Sequence, residues 1–130
     1  MSNARRGAGR NTYRTGYLRS AAWFRRRDRW FRWEQRRRPV TCAGCGHPGT
    51  PHTLELHHLT YRGVYIRDGR WHAPEQHRDL IPLHPFCHEL VHRLIDRDRV
   101  LAHNRAHRDA SLLAIRRIRA ALDRHADATP

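Results

Sequence analysis

The 130-residue chain lacks several features that define common classes of protein. It has no apolar run long enough to cross a bilayer and no N-terminal stretch that resembles a signal peptide. It has only three cysteines, and this odd number suits a reducing compartment with a bound metal better than a disulfide framework. We therefore expect a cytoplasmic protein that does not associate with membranes.

Acidic residues are scarce and lysine is absent. The chain has 12 Asp plus Glu against 26 basic residues, all of them arginine, which gives a formal net charge of +14. Arginine suits bidentate contacts with phosphate, although a genome rich in Arg codons would give the same count. A charge this high predicts that the partner is a polyanion.

The positive charge is concentrated at the N-terminus. Residues 1–38 contain 13 arginines and two acidic residues, a net charge of +11. Residues 1–16 have little apolar surface to bury, so we expect a disordered basic tail there and a single domain over residues 17–130. The residues expected to bind phosphate groups in this region are Arg5, Arg6, Arg10, Arg14 and Arg19.

The three cysteines and one histidine form two pairs with the same spacing. Cys42 and Cys45 are separated by two residues, as are His84 and Cys87. Two such pairs are typical of a tetrahedral zinc site built from thiolate and imidazole ligands. We predict that these four residues hold a structural zinc, with a zinc knuckle at the first pair, because a core with 38% apolar residues benefits from a metal cross-link.

Four further histidines are not needed by this zinc site. His57 and His58 end an alternating segment, Leu-Glu-Leu-His-His, which predicts a strand with the two rings on opposite faces. His88 and His92 are four residues apart and share one face of a helix that is predicted to begin at Pro85. The pattern predicts a second group of ligands close to the first.

Helices are predicted on both sides of the segment that runs from Cys42 to His92, and a hairpin is predicted within it. Ser20 is a good N-cap and Pro39 ends the helical pattern, so an Arg-rich helix is expected between them. A second amphipathic helix is predicted around residues 112–122, packed against the first. We expect these helices to bury Trp23, Phe24, Trp30, Phe31, Leu112, Ile115, Ile118 and Leu122, and the helix that begins at Pro85 to bury Phe86, Leu90 and Leu94. The turn dipeptide Asp68-Gly69 predicts the hairpin within residues 61–72.

Residues 41–92 resemble the HNH endonuclease family. The resemblance is carried by Cys-x-x-Cys, then Leu-Glu-Leu-His-His-Leu-Thr-Tyr, then Leu-His-Pro-Phe-Cys-His-x-x-x-His. It implies an α+β fold with a small ββα-metal core over residues 41–97, flanked by the Arg-rich N-terminal helix and the amphipathic C-terminal helix. It also implies hydrolysis of DNA phosphodiester bonds, leaving 3′-hydroxyl and 5′-phosphate ends.

The resemblance assigns roles to individual residues. His57 and His88 stand at metal-ligand positions, and His92 matches a third imidazole found in one branch of the family. His58 stands at the position of the general base. Asp79 stands where the family often has the asparagine that pins the loop between the two strands.

The resemblance implies one divalent ion for catalysis, either Mg, Mn, Ni, Co or Zn. Three imidazoles favour the transition metals over magnesium, which prefers oxygen ligands. Glu55 matches an acid that lies close to the metal histidines in the same branch of the family. The remaining histidines are interpreted as incidental, and they are His47, His52, His72, His77, His103, His107 and His125.

One alternative function stays open, a zinc-containing DNA-binding module without catalysis. It accounts equally well for the cysteines and for the positive charge, and only the second group of histidines distinguishes the two. A basic tail reads phosphates and not bases, so sequence specificity would come from a protein partner or a homodimer.

Overall fold

Helices and short antiparallel strands make up a computed structural model that describes residues 15–97 and 106–128. This mixture confirms the α+β class. The predicted DNA-binding residues Arg5, Arg6, Arg10 and Arg14 lie outside the described residues, and Arg19 is exposed. The elements in chain order are α1 (Ala21–Arg37), β1 (Glu55–His58), β2 (Tyr65–Arg67), β3 (Arg70–His72), a 3-10 turn (His77–Asp79), β4 (Leu80–Leu83), α2 (Pro85–Arg97) and α3 (His107–Ala128).

Helix α1 begins and ends where the sequence predicts. The Ser20 side chain accepts a hydrogen bond from the Trp23 amide at 3.1 Å, which caps the first turn. Trp23, Trp30 and Phe31 are buried, but Phe24 is 53% exposed, so the prediction is wrong for that residue. Three residues further along α1, the Arg27 guanidinium donates to the backbone carbonyls of Pro51 and Leu54.

Strands β1 and β4 pair antiparallel and lead directly into α2. Their register sets Glu55 opposite Leu83 and His58 opposite Leu80. Beyond β1, the Leu59 amide donates to the Asp79 carbonyl at 2.8 Å, which extends the pairing by one bond. The observed order is therefore strand, strand and helix, and α2 begins at Pro85 as predicted.

Strands β2 and β3 form the predicted hairpin between the two strands of the main sheet. Asp68 and Gly69 both have positive φ, 52° and 71°, the combination that a tight two-residue hairpin turn requires. Trp71 of β3 packs against the buried ring of Tyr17, with centroids 5.4 Å apart. The hairpin is thus attached to the core through one side chain.

The predicted buried face of α2 is wrong in part. Helix α2 turns Cys87 and Val91 into the core and leaves Phe86 71% exposed, because the Cys87 thiol faces the Cys42 loop. Leu90 and Leu94 are only partly buried.

Helix α3 packs against α2, whereas the sequence analysis expected it to pack on α1. Its buried face includes Ala110, Ser111 and Ala114, and such small side chains allow neighbouring backbones to approach closely. Ile115 and Ile118 are also buried, while Leu122 is 41% exposed, so the prediction is wrong for the last turns of the apolar stripe.

Candidate functional site

Two groups of side chains among the described residues are positioned to bind a metal ion. In each group, the potential ligand atoms all lie within 4.8 Å of one another. One group consists of three thiols and the other of three imidazoles. Their members are Cys42, Cys45 and Cys87, and His57, His88 and His92.

The thiol group is built on a tight loop. The loop closes through the Cys42 amide, which donates to the His47 carbonyl at 2.9 Å, and through Gly46, whose φ of 79° suits glycine. The amides of His84 and Cys45 point at the Cys42 sulfur, at 3.2 and 3.5 Å. Burial raises the pKa of Cys42, but these amides outweigh it and lower the pKa to about 7.

The second half of the thiol group comes from the start of α2. Gly44 lies so close to Cys87 that a Cβ there would be 3.0 Å from the Cys87 Cβ, and a side chain at this position would require Cys87 to shift. Burial and the nearby Cys42 raise the pKa of Cys87 to about 12. A bound cation would stabilise the deprotonated form of Cys87, which is the form that ligates a metal.

His84 lies beside this group, as the paired spacing predicts. Its Nδ1 is 3.3 Å from the Cys45 sulfur. The arrangement brings the predicted fourth ligand next to one thiol, that of Cys45. The donor set of three sulfurs and one imidazole nitrogen is an ordinary one for zinc.

The imidazole group has close nitrogen–nitrogen distances. His57 Nδ1 lies 3.2 Å from His88 Nε2, which lies 3.1 Å from His92 Nε2. Nitrogens that ligate one tetrahedral ion at the usual bond length are about 3.3 Å apart. The three rings therefore converge at a separation that fits a single shared ion.

The opposite nitrogens of two of these rings have partners of their own. His57 Nε2 shares a hydrogen bond of 2.8 Å with the hydroxyl of Ser111, which is fully buried on α3. His88 Nδ1 lies 3.5 Å from the carboxylate of Glu55. Metal-ligating histidines usually have such partners, which fix the tautomer and the orientation of the ring.

The neutral form of these rings, which is the ligating form, is favoured by their surroundings. Burial, reinforced by the nearby His88, His92 and His107, lowers the pKa of His57 to about 2. Burial also lowers the pKa of His88, although Glu55 opposes that effect. Both rings are therefore ready to accept a cation at neutral pH without first losing a proton.

His58 contacts a different set of residues, as strand alternation predicts. Its Nε2 lies 2.8 Å from Glu75 Oε2, and the Tyr17 hydroxyl donates to the same oxygen at 2.6 Å. The ring is stacked on Tyr61 with centroids 4.2 Å apart and contacts Trp23 at 4.6 Å. The side chain is thus fixed on several sides.

Glu75 is a buried carboxylate. Burial raises its pKa, but the hydrogen bonds from His58 and Tyr17 outweigh that effect and lower the pKa. The ionised carboxylate accepts, so the hydrogen bond assigns the proton of the neutral His58 ring to Nε2 and leaves Nδ1 as the basic nitrogen. Within the described residues, the second oxygen of Glu75 is buried without a hydrogen-bond partner.

His58 and the three converging histidines line a common cavity of about 230 Å³. His107 lines it too, and its Nε2 donates to the His58 carbonyl at 3.1 Å. His107, which the sequence pattern marks as incidental, therefore lies at the candidate site. This residue contributes to the wall of the site from the first turn of α3.

Asp79 joins three elements beside this cavity. Its carbonyl accepts from the Leu59 amide after β1, and its carboxylate accepts from Arg108 of α3 at 2.5 Å. The residue immediately precedes β4. Its contacts are those of a residue that holds the loop between the strands, which is the role that the resemblance implies.

Three contributors to the site were missed by the sequence analysis, Glu75, Ser111 and His107. Glu75 and Ser111 are single polar residues in no recognisable pattern, and they lie 17 and 54 positions from their histidine partners. His107 carried one signal, since it lies close to the predicted start of the last amphipathic helix.

The chain has no match among protein-family models, curated proteins or solved structures. None of the helices described, over residues 15–97 and 106–128, has both the length and the apolar character needed to cross a membrane. The interpretation of the site therefore rests on its geometry and on the sequence motifs.

Proposed function

We propose that this protein is an HNH-type endonuclease that hydrolyses DNA phosphodiester bonds with the help of a divalent metal ion. The observation that carries the proposal is the convergence of His57, His88 and His92 at 3.1 to 3.2 Å, on a cavity that His58 also lines. A ligand group and a separate imidazole are the two components that metal-assisted hydrolysis needs.

In this proposal the two metal groups have different tasks. Cys42, Cys45, His84 and Cys87 hold a structural zinc in a zinc knuckle, which fixes the loop before β1 to the start of α2. The histidine group holds the catalytic ion, and three imidazoles favour manganese, cobalt, nickel or zinc over magnesium. The shared helix α2 links the folding of one site to the geometry of the other.

A divalent cation in the histidine group would neutralise charge on the scissile phosphate and stabilise the leaving oxygen. The protein contributes the base. His58 Nδ1 accepts the proton of the attacking water, while Nε2–H donates to Glu75. An imidazole is suited to this step because its ordinary pKa lies near neutrality, at about 6.5.

Glu75 has a positioning role in this scheme. Its carboxylate selects the tautomer of His58 and stabilises the ring when it becomes positively charged. Tyr17 holds the same carboxylate oxygen from the other side. Asp79 is assigned no contact with substrate, and its role is to hold the strand ends in register.

The rival function is a DNA-binding module whose only metal is the structural zinc. Such a module needs the thiol group but has no use for three converging imidazoles with Ser111 and Glu55 as outer partners. The histidine group therefore favours the nuclease.

Cleavage of supercoiled plasmid DNA tests the proposal. The purified protein, with its zinc retained, is incubated with plasmid and with magnesium, manganese, cobalt, nickel or zinc in turn. The proposal predicts nicked or linear product with one or more of the transition metals. Intact plasmid with all five metals, together with tight DNA binding, would favour the rival function.

A further inference from the structure

A basic cleft of about 550 Å³ opens next to the histidine cavity. It lies between the loop after β1, the segment before β4 and the first turn of α3. Its charged lining consists of three arginines, Arg62, Arg78 and Arg108, and a single carboxylate, Asp79. Because Asp79 is already paired with Arg108, the cleft presents a net positive charge.

Two of the three arginines are available to a ligand. Arg62 and Arg78 are exposed, and within residues 15–97 and 106–128 neither has a carboxylate within ion-pair distance. They come from different loops, on the two sides of the hairpin β2–β3. Two unpaired guanidinium groups around one cleft are suited to phosphate oxygens, which arginine can bind in a bidentate manner.

The cleft adjoins two other depressions through shared residues. His107 lines both the cleft and the cavity that holds the converging histidines. Arg78 lines both the cleft and a third depression of about 300 Å³, which also includes Arg38 and Trp30. The cleft is therefore a neighbour of the histidine cavity on one side chain and of the depression at the end of α1 on another.

We propose that this cleft binds the phosphodiester backbone of duplex DNA beside the scissile phosphate, through Arg62 and Arg78. The inference rests on the proposed nuclease function and adds a binding site within the folded domain, distinct from the arginines of residues 1–16. Arg108 is assigned a supporting role, since it pairs with Asp79, whose carbonyl also accepts from the Leu59 amide in the lining of the cleft.

A salt series on a short fluorescein-labelled DNA duplex tests the proposal with the full chain. The cleft variant carries Arg62→Gln and Arg78→Gln, and the matched control carries Arg116→Gln and Arg124→Gln, two exposed arginines of α3 outside the cleft. Both variants lose the same charge. None of the four side chains is buried, so both are expected to fold, which circular dichroism checks.

The cleft variant should reduce the slope of log affinity against log salt by about 1.8, at about 0.9 per lost phosphate contact, and the control should leave the slope unchanged. In plasmid cleavage it should raise KM and leave kcat near the wild-type value. Equal slopes for the cleft variant and the wild type, or equal losses in the cleft variant and the control, would overturn the proposal.

The same experiment separates the cleft from the nuclease function. If the wild type cuts DNA and the cleft variant binds and cuts DNA identically, the proposed binding site in the cleft is wrong and the proposed nuclease activity stands. If the wild type never cuts DNA, but the slope of log affinity against log salt falls in the cleft variant alone, the cleft stands as a DNA-binding site and the proposed nuclease activity is wrong.

Discussion

His58 Nε2 and Glu75 Oε2 are 2.8 Å apart, and both side chains are buried. Seventeen positions separate the two residues along the chain. A buried carboxylate is costly unless it is paired, and here its partners are an imidazole and the Tyr17 hydroxyl. The contact between Glu75 and His58 gives the proposed general base a defined tautomer.

Replacing Glu75 with Gln should slow DNA cleavage without releasing either metal. The amide keeps the shape of the side chain but cannot stabilise a positively charged His58 ring. We expect a loss of about 10- to 100-fold in the single-turnover rate, smaller than the loss of about 10² to 10⁴ typical of removing a general base. Metal content and duplex affinity should be unchanged.

Glu89→Gln is the matched control for that variant, because Glu89 forms an exposed pair with Arg93 on α2. Long-range proton–nitrogen NMR adds a readout that does not depend on activity. His58 should carry its proton on Nε2 in the wild type and populate both tautomers in the Glu75→Gln protein. Identical rates and identical tautomers in the two proteins would contradict the positioning role.

Removing a ligand should give a different defect from removing the base. His88→Ala deletes the imidazole that lies between His57 and His92, so the affinity for the catalytic ion should fall. Cleavage should recover in part when the metal concentration is raised. Calorimetric titration with manganese checks the affinity, and an unchanged affinity would exclude His88 as a ligand.

The thiol group should be essential for folding. Cys42→Ser removes a ligand around which two amides are already arranged, and a small domain has little else to replace a structural zinc. We expect the variant to lose zinc and to unfold in circular dichroism. His47→Ala alters an exposed side chain of the same loop and should stay folded. A metal-free, folded Cys42→Ser protein would contradict a structural role.

Acid should destabilise the protein through His57. Its pKa in the folded state is about 2, below the unfolded value of about 6.5, so the unfolded chain binds the extra proton between these values. The contribution of His57 to stability is therefore complete above about pH 6.5 and is lost progressively as the pH falls toward 2. The same protonation opposes metal binding.

Thermal unfolding from pH 7.5 to pH 5 measures this effect. His57→Asn should unfold at a temperature that depends less on pH than the wild-type temperature does. Parallel pH dependences for the two proteins would show that His57 is not held in its neutral form.

Local patterns were sufficient to predict the first helix, the hairpin and the two groups of potential metal ligands. The Ser20 cap, the Asp68-Gly69 turn and the start of α2 at Pro85 each depend on a few neighbouring residues, and each agrees with the structure. The spacing of His88 and His92 likewise follows from one helical turn. Such features can be read from the sequence because the physical interactions that produce them are short in range.

Features that depend on tertiary packing could not be predicted in this way. The partner of α3 is α2 and not α1, and that choice depends on which faces the sheet and the Cys87 thiol leave available. The helical spacing of Phe86, Leu90 and Leu94 predicts a buried row, yet the burial of Cys87 rotates the Phe86 side chain toward solvent. Glu75 and Ser111 meet His58 and His57 only after folding, so no local signal marks them.

The most direct test of the central claim compares the rates at which wild type, His58→Ala and His52→Ala convert supercoiled plasmid in the presence of manganese. His52 is exposed and lies outside the histidine cavity, so it controls for the loss of an imidazole. We expect cleavage by the wild type and by His52→Ala, and a rate lower by about 10² to 10⁴ for His58→Ala with its metal content intact. Cleavage by His58→Ala at the wild-type rate would contradict the assignment of the base, and with it the proposed catalysis by this site.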